Sequence, residues 1–315
     1  MYLLGFDIGG TKCVVITASW DGSRIELLQK AVCPTVLTIP PENMLQNLIA
    51  LADEILTGKP DSIGISCGGP LNSREGIILG PPNLPGWDHV EIVKILQAHY
   101  NVPVKLQNDA NACAIAEWKF GAGKGTSDMV FLTFGTGLGA GLILNGQLYC
   151  GKNNNAGEVG HIRLDRFGPV GFGKAGSFEG FCSGGGLAQL GYTLALEKVQ
   201  IGQHPLYYQK GMTQRDVTAK TIADAAYAGD ETALEVYRIC GEHLGKGLSI
   251  LIDLLNPEVI VLGSIFGRCE DLLWASADAV IRQEALAASA VQCRVVAAGL
   301  GEHIGEYGAI ATAIL

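Results

Sequence analysis

The apolar and polar positions begin with three strand-like runs. Residues 2–9, 12–19 and 25–33 are rich in aliphatic and β-branched side chains, and short glycine or polar turns separate them. Asp21-Gly22 makes the second connection a tight turn, so the three runs predict an antiparallel meander. Pro40-Pro41 then opens a helix to about residue 57, with Met44, Leu45, Leu48, Ile49, Leu51, Ile55 and Leu56 along a broad apolar face. Ser62 to Cys67 predicts a short buried strand. A helix over 88–99, a strand over 102–106 and an alanine-rich helix to Phe120 follow. Met129 to Phe134 predicts another strand. Later, Thr218 to Ala228 predicts a helix, and Asp230 begins a long one. Its apolar stripe is Leu234, Tyr237, Leu244, Leu248, Leu251 and Leu255, and Pro257 ends it. Strands over 258–262 and 291–297 precede a last helix from about Gly305. Strands alternating with helices predict an α/β chain.

Composition narrows the function. The 315 residues are enough for two domains, and 48% of them are apolar. The formal charge of −9 comes with no basic cluster, which argues against a nucleic-acid partner. No apolar run approaches a membrane span. The first residues lack a basic stretch and meet Asp7 at once, so no signal peptide is expected and the cytoplasm is the expected location. The nine cysteines are scattered, several (Cys13, Cys33, Cys240) inside apolar runs, which favours reduced buried thiols over disulfides.

The chemistry gathers around two glycine turns. The first is Asp7-Ile8-Gly9-Gly10-Thr11-Lys12, between two apolar runs. The second runs Thr133-Phe134-Gly135-Thr136-Gly137-Leu138-Gly139-Ala140-Gly141, and its region closes at Gly157-Glu158-Val159-Gly160-His161. Glycine lets a ligand approach the main chain, and free N–H groups in such turns form nests for anions, usually phosphate. Neither turn opens a helix as a Walker or dinucleotide loop does. Other candidates are scattered. Gly68-Gly69 ends a strand and admits a ligand to the backbone. The proline-held loop around Asn83 and Trp87 is either a connector or a binding loop. Asn108-Asp109 follows a buried strand, which suits either helix capping or a general base facing a cleft.

Asp-x-Gly-Gly-Thr-Lys, followed far downstream by Thr-x-Gly-Thr-Gly-x-Gly-x-Gly, resembles the sugar kinases of the ROK family, and the likeness runs over nearly the whole chain. It implies a two-domain actin-like ATPase (ribonuclease H-like) α/β fold with a cleft between the domains. The domains would be residues 1–118, joined by a helix at about 303–315, and a larger 119–302. It implies ATP and Mg²⁺ as cofactors. Asp7, Gly9, Gly10, Thr11 and Lys12, with Thr133, Gly135, Thr136 and Gly137, would hold the phosphates. Gly263 and Ser264 would hold the adenosine, at a position where the family usually has two glycines. Asp7 would position Mg²⁺ through water, and Asp109 would be the catalytic base. Gly69, Asn83, Asn108, Glu158, His161 and Glu179 would contact the sugar.

The implied activity is phosphorylation of a hexose at its 6-hydroxyl, glucose first. An N-acetylhexosamine or another hexose is the alternative substrate. A non-catalytic sugar sensor is the rival class. ROK repressors carry a DNA-binding module ahead of the sugar domain, for which a strand beginning at Tyr2 leaves no room. The expected partners are a small-molecule sugar and a second copy in a homodimer, with no nucleic acid and no membrane. One departure is sharp. Where the family's zinc element has cysteines, this chain has Val170, Phe172 and Ser177, while the glycines and Glu179 match. Neither Val nor Phe can ligate a metal, so no structural zinc is expected. Phe172 and Phe178 are expected to hold the loop by packing together.

Overall fold

The opening apolar runs form β1 (Tyr2–Ile8), β2 (Lys12–Trp20) and β3 (Ile25–Pro34) in the computed structural model, which describes residues 1–315. They pair antiparallel in sequence order. Helix α1 (Pro41–Ile55) has proline in its first turn, where a missing N–H costs nothing, and buries Met44, Leu45, Leu48, Ile49 and Ala52. Strand β4 (Ser62–Cys67) is buried along its whole length. A small hairpin of β5 (Leu71–Asn72) and β6 (Ile77–Ile78), then α2 (Ile92–Tyr100), lead to β7 (Val104–Asn108). The sheet order is β3-β2-β1-β4-β7, with β1, β4 and β7 mutually parallel. Helix α3 (Asp109–Phe120) follows β7 without a break.

The chain continues through β8 (Met129–Leu132) and a hairpin of β9 (Ala140–Leu144) and β10 (Gln147–Tyr149). Next come a second small hairpin, β11 (Val170–Gly171) and β12 (Lys174–Ala175), and helices α4 (Phe178–Phe181), α5 (Gly184–Gln200), α6 (Ala219–Tyr227) and α7 (Glu231–Leu255). Strand β13 (Val259–Leu262) leads into α8 (Ile265–Glu284), and α9 (Ala287–Ala290), β14 (Arg294–Ala297) and α10 (Ile304–Ala313) complete the chain. Strand β13 lies parallel between β8 and β14. All nine cysteines are free thiols, and no helix is long and apolar enough to cross a membrane.

Two units result. Unit 1 comprises 1–127, 141–156 and 299–315; unit 2 comprises 128–140 and 157–298. The expected boundary fell at residue 118; here residues 119–127 and 141–156 are grouped with unit 1, while β9 and β10 belong to the sheet ordered β10-β9-β8-β13-β14. The physical reason is close packing on α3. A side chain at Gly141 would lie 2.4 Å from the Ala114 methyl, so only glycine lets the hairpin sit there. Asn111 on α3 also reaches the Cys150 sulfur, at 3.7 Å. Glu117 secures the far end of the same helix. Its fully buried carboxylate accepts N–H bonds from Ala122 (2.7 Å), Gly299 (3.0 Å) and Leu300 (2.8 Å). A buried carboxylate is costly unless bonded in this way.

Candidate active site

In unit 1 the sheet brings the first group of candidates together. Strand β1 ends at Ile8, and the turn closes with Gly9 N–H donating to the Lys12 carbonyl at 3.1 Å. Gly10 lies against Asn83: a Cβ there would fall 2.6 Å from the Asn83 carbonyl oxygen. The Asn83 amide also faces Gly68, and the Asn108 amide faces Gly69. The proline-held loop therefore places Asn83 against the glycine turn.

Asn108 and Asp109 divide two duties. The Asn108 side chain caps α3, accepting from Ala110 N–H at 3.0 Å. Asp109 is the first helical residue, and its Oδ1 also accepts from Ala110 N–H, at 2.8 Å. The side chain keeps accessible surface, yet enough protein surrounds it that desolvation raises its pKa. Asp7 is pushed up to about 6, first by burial and next by the charge of Asp109. A carboxylate whose pKa is raised partly by a neighbouring carboxylate is a donor suited to a hard divalent cation.

Unit 2 builds its part differently. Thr133 N–H donates to the Gly139 carbonyl (2.9 Å), and Gly139 N–H returns a bond to the Thr133 hydroxyl (2.9 Å). Glu179 braces the turn: its Oε2 accepts from Leu138 N–H at 3.0 Å, where a Gly137 side chain would intrude. Glu179, expected as a sugar contact, is thus already engaged with this turn. Glu158 is exposed, and His161 lies three residues on in a short 3₁₀ turn.

Beside this turn lies a cavity of about 640 Å³. Gly135 and Thr136 form one wall. The N-terminal ends of three helices form much of the rest, through Gly184 of α5, Thr218 capping α6 and Ser264 preceding α8. Helix N-termini present free N–H groups and positive dipole ends, so the arrangement suits a phosphorylated ligand. Lys220 and Arg268 also line it, and Arg268 Nη2 donates to Ser264 Oγ at 3.1 Å. Ser264 adopts φ +52°, the conformation that the expected glycine would take freely. Of the two residues expected at the adenosine, Ser264 lines this cavity and Gly263 does not; α8 and Arg268, which do, were not expected from the sequence. The strand-turn-helix step after Leu262 was the available signal.

The zinc-like loop departs from expectation. Ser177 is fully buried and caps α4, accepting from Gly180 N–H at 3.0 Å. Phe178 is fully buried, its ring against Gly247. Phe172 does not join it. That ring is 70% exposed, because it sits at the tip of the β11–β12 hairpin. The expected packing of Phe172 with Phe178 is therefore corrected: Phe178 is buried without it, and the loop is also held by hydrogen bonds between Val170 and Gln189.

The mixed α/β architecture, with two main sheets and glycine turns after β1 and β8, is that of the actin-like ATPases. Within that class, the ROK family profile matches residues 3–314, and the chain belongs to the ROK family. A glucokinase of Thermotoga maritima is 28% identical over 309 residues, 98% of this chain and 95% of the relative. A ROK glucokinase from Streptomyces griseus, solved with glucose and AMPPNP, is 28% identical with TM-score 0.79, covering 100% of this chain and 99% of that one. A xylose repressor of Caldicellulosiruptor bescii is 27% identical over 99% of this chain and 78% of its own length.

Proposed function

We propose that the chain is an ATP-dependent sugar kinase acting on the 6-hydroxyl of a hexose, with glucose the first candidate. The observation that carries this reading is Asp109. It stands at the carboxyl end of a parallel strand, with Asn108 able to carry the cap, and burial raises its pKa, the direction that makes a carboxylate a stronger proton acceptor. Asp109 takes the hydroxyl proton as the new O–P bond forms and the bond to the leaving ADP breaks. The nucleotide is assigned to the unit 2 cavity, where helix N-termini and the 135–137 turn offer N–H donors. Mg²⁺, held through Asp7, would spread the charge of the phosphates.

The loop at 170–177 is taken to work without zinc, since Val170 and Phe172 offer no ligand and Ser177 is spent on a helix cap. Metal analysis of the purified protein checks this; near-stoichiometric zinc, lost with activity on chelation, would overturn it. The main test is a coupled assay with ATP and Mg²⁺ over a panel of hexoses and aminosugars. Turnover to a sugar 6-phosphate is expected. Tight sugar binding by calorimetry with no turnover on any sugar would favour the sensor reading.

A further inference from the structure

Strand pairing in the β11–β12 hairpin joins Val170 to Ala175 and Gly171 to Lys174. Phe172 and Gly173 are left as a two-residue loop, with φ of +42° and +77°. Positive φ at both positions is the type I′ pattern, whose favoured first residue is Asn, Asp or Gly. A bulky aromatic there is strained. Strain of this kind persists where packing compensates it or where function uses it. Packing does not compensate it here, because the ring is 70% exposed. Phe172 instead stands edge-on to His161, with ring centroids 5.3 Å apart and planes at 84°. Lys174, across the same turn, donates to the His161 carbonyl oxygen at 2.7 Å. The hairpin tip and His161 are thus tied together, with one face of an aromatic ring left bare beside an imidazole. Small-molecule sites combine such apolar surfaces with a few polar groups. A pyranose offers both partners, an apolar C–H face and hydroxyls.

We propose that Phe172 is a specificity-determining residue that packs against the C–H face of a hexose whose hydroxyls bond His161 and Glu158. This rests on reading the Glu158–His161 segment as part of a sugar site. The turn chemistry supplies a sharp test, because asparagine suits this position better than phenylalanine does. Glucose, mannose and N-acetylglucosamine are titrated by calorimetry without nucleotide, and melting temperature is measured alongside. Phe172→Asn is expected to raise the melting temperature while weakening the best-bound sugar about tenfold. Phe172→Trp is expected to retain binding. Sugar affinity unchanged within about twofold in Phe172→Asn would overturn the proposal. So would a lower melting temperature, which would make the ring structural. A wild-type protein that binds none of the three sugars would overturn both this proposal and the kinase reading. One that binds glucose without phosphorylating it would overturn the kinase reading alone.

Discussion

The two glycine turns share a backbone logic and differ in surroundings. The turn after β1 is a tight hairpin beside Asp7, whose pKa is raised in part by Asp109. The turn after β8 is wider, braced by Glu179, and borders a cavity where three helices begin. Glycine makes room for a neighbouring residue in both, Asn83 at Gly10 and Glu179 at Gly137. The neighbours decide a ligand's charge: carboxylates beside the first favour a cation, and helix N-termini beside the second favour phosphate. Glycine spacing alone therefore marks a site without stating its chemistry.

The largest expected effect comes from removing the acidic character of the first region. Asp109→Asn should lower kcat by about 10² or more with little change in sugar affinity, since only proton acceptance is lost. Turnover near the wild-type level would leave Asp109 as part of the cap.

Steric tests separate the turns next. In Gly10→Ala the new methyl meets the Asn83 backbone carbonyl, which cannot swing away, so a loss of stability of roughly 1–3 kcal/mol is expected. In Gly137→Ala it meets only the mobile end of Glu179, so a smaller loss is expected, with a weaker ATP affinity. Equal losses in denaturant unfolding would show that the two turns are equally rigid.

The acidic pair also predicts a pH effect. Asp7 has a raised folded pKa of about 6, so between its unfolded value and that pH the folded chain binds more proton. Its contribution is therefore present at low pH and is lost as pH rises through about 6. Asp7→Asn should raise the melting temperature of the metal-free protein at pH 8 and leave it nearly unchanged at pH 4. A gain of the same size at both would show that charge is not the cause.

The smallest effect belongs to the second region. Ser264→Gly relieves the φ of +52° and should stabilise the chain by about 0.5–1 kcal/mol, offset in part by the lost bond from Arg268. A clear loss in thermal unfolding would mean that the Arg268 bond outweighs the strain.

Much of the first region was legible because its parts are local. The turn from Asp7 to Lys12 lies between two strands with clear patterns, and Asn108-Asp109 sits where a strand meets a helix. The cavity in unit 2 was not legible as a whole. Its walls come from Gly135, Gly184, Thr218 and Ser264, far apart in sequence, and no periodicity says that three helices begin at one place. The hairpin at 141–156 follows β8 in sequence, and the close approach of its Gly141 to Ala114 on α3 is a tertiary contact that no local pattern announces. Phe172 shows a different limit. Its apolar character predicted burial, and only the hairpin register reveals that it occupies a turn tip.

Glu117 has a consequence for how the chain is made. Two of its three hydrogen bonds go to Gly299 and Leu300, which leave the ribosome long after α3. Until they arrive, a carboxylate destined for full burial lacks most of its donors, and α10, with Ala309, Ile310 and Ala311 fully buried, is also missing. Unit 1 begins translation first but completes its core last, whereas every segment of unit 2 has by then been synthesised. Nascent chains stalled with residues up to 298 emerged and 299–315 still inside the ribosome tunnel should protect unit 2 from protease while leaving α3 open to cleavage.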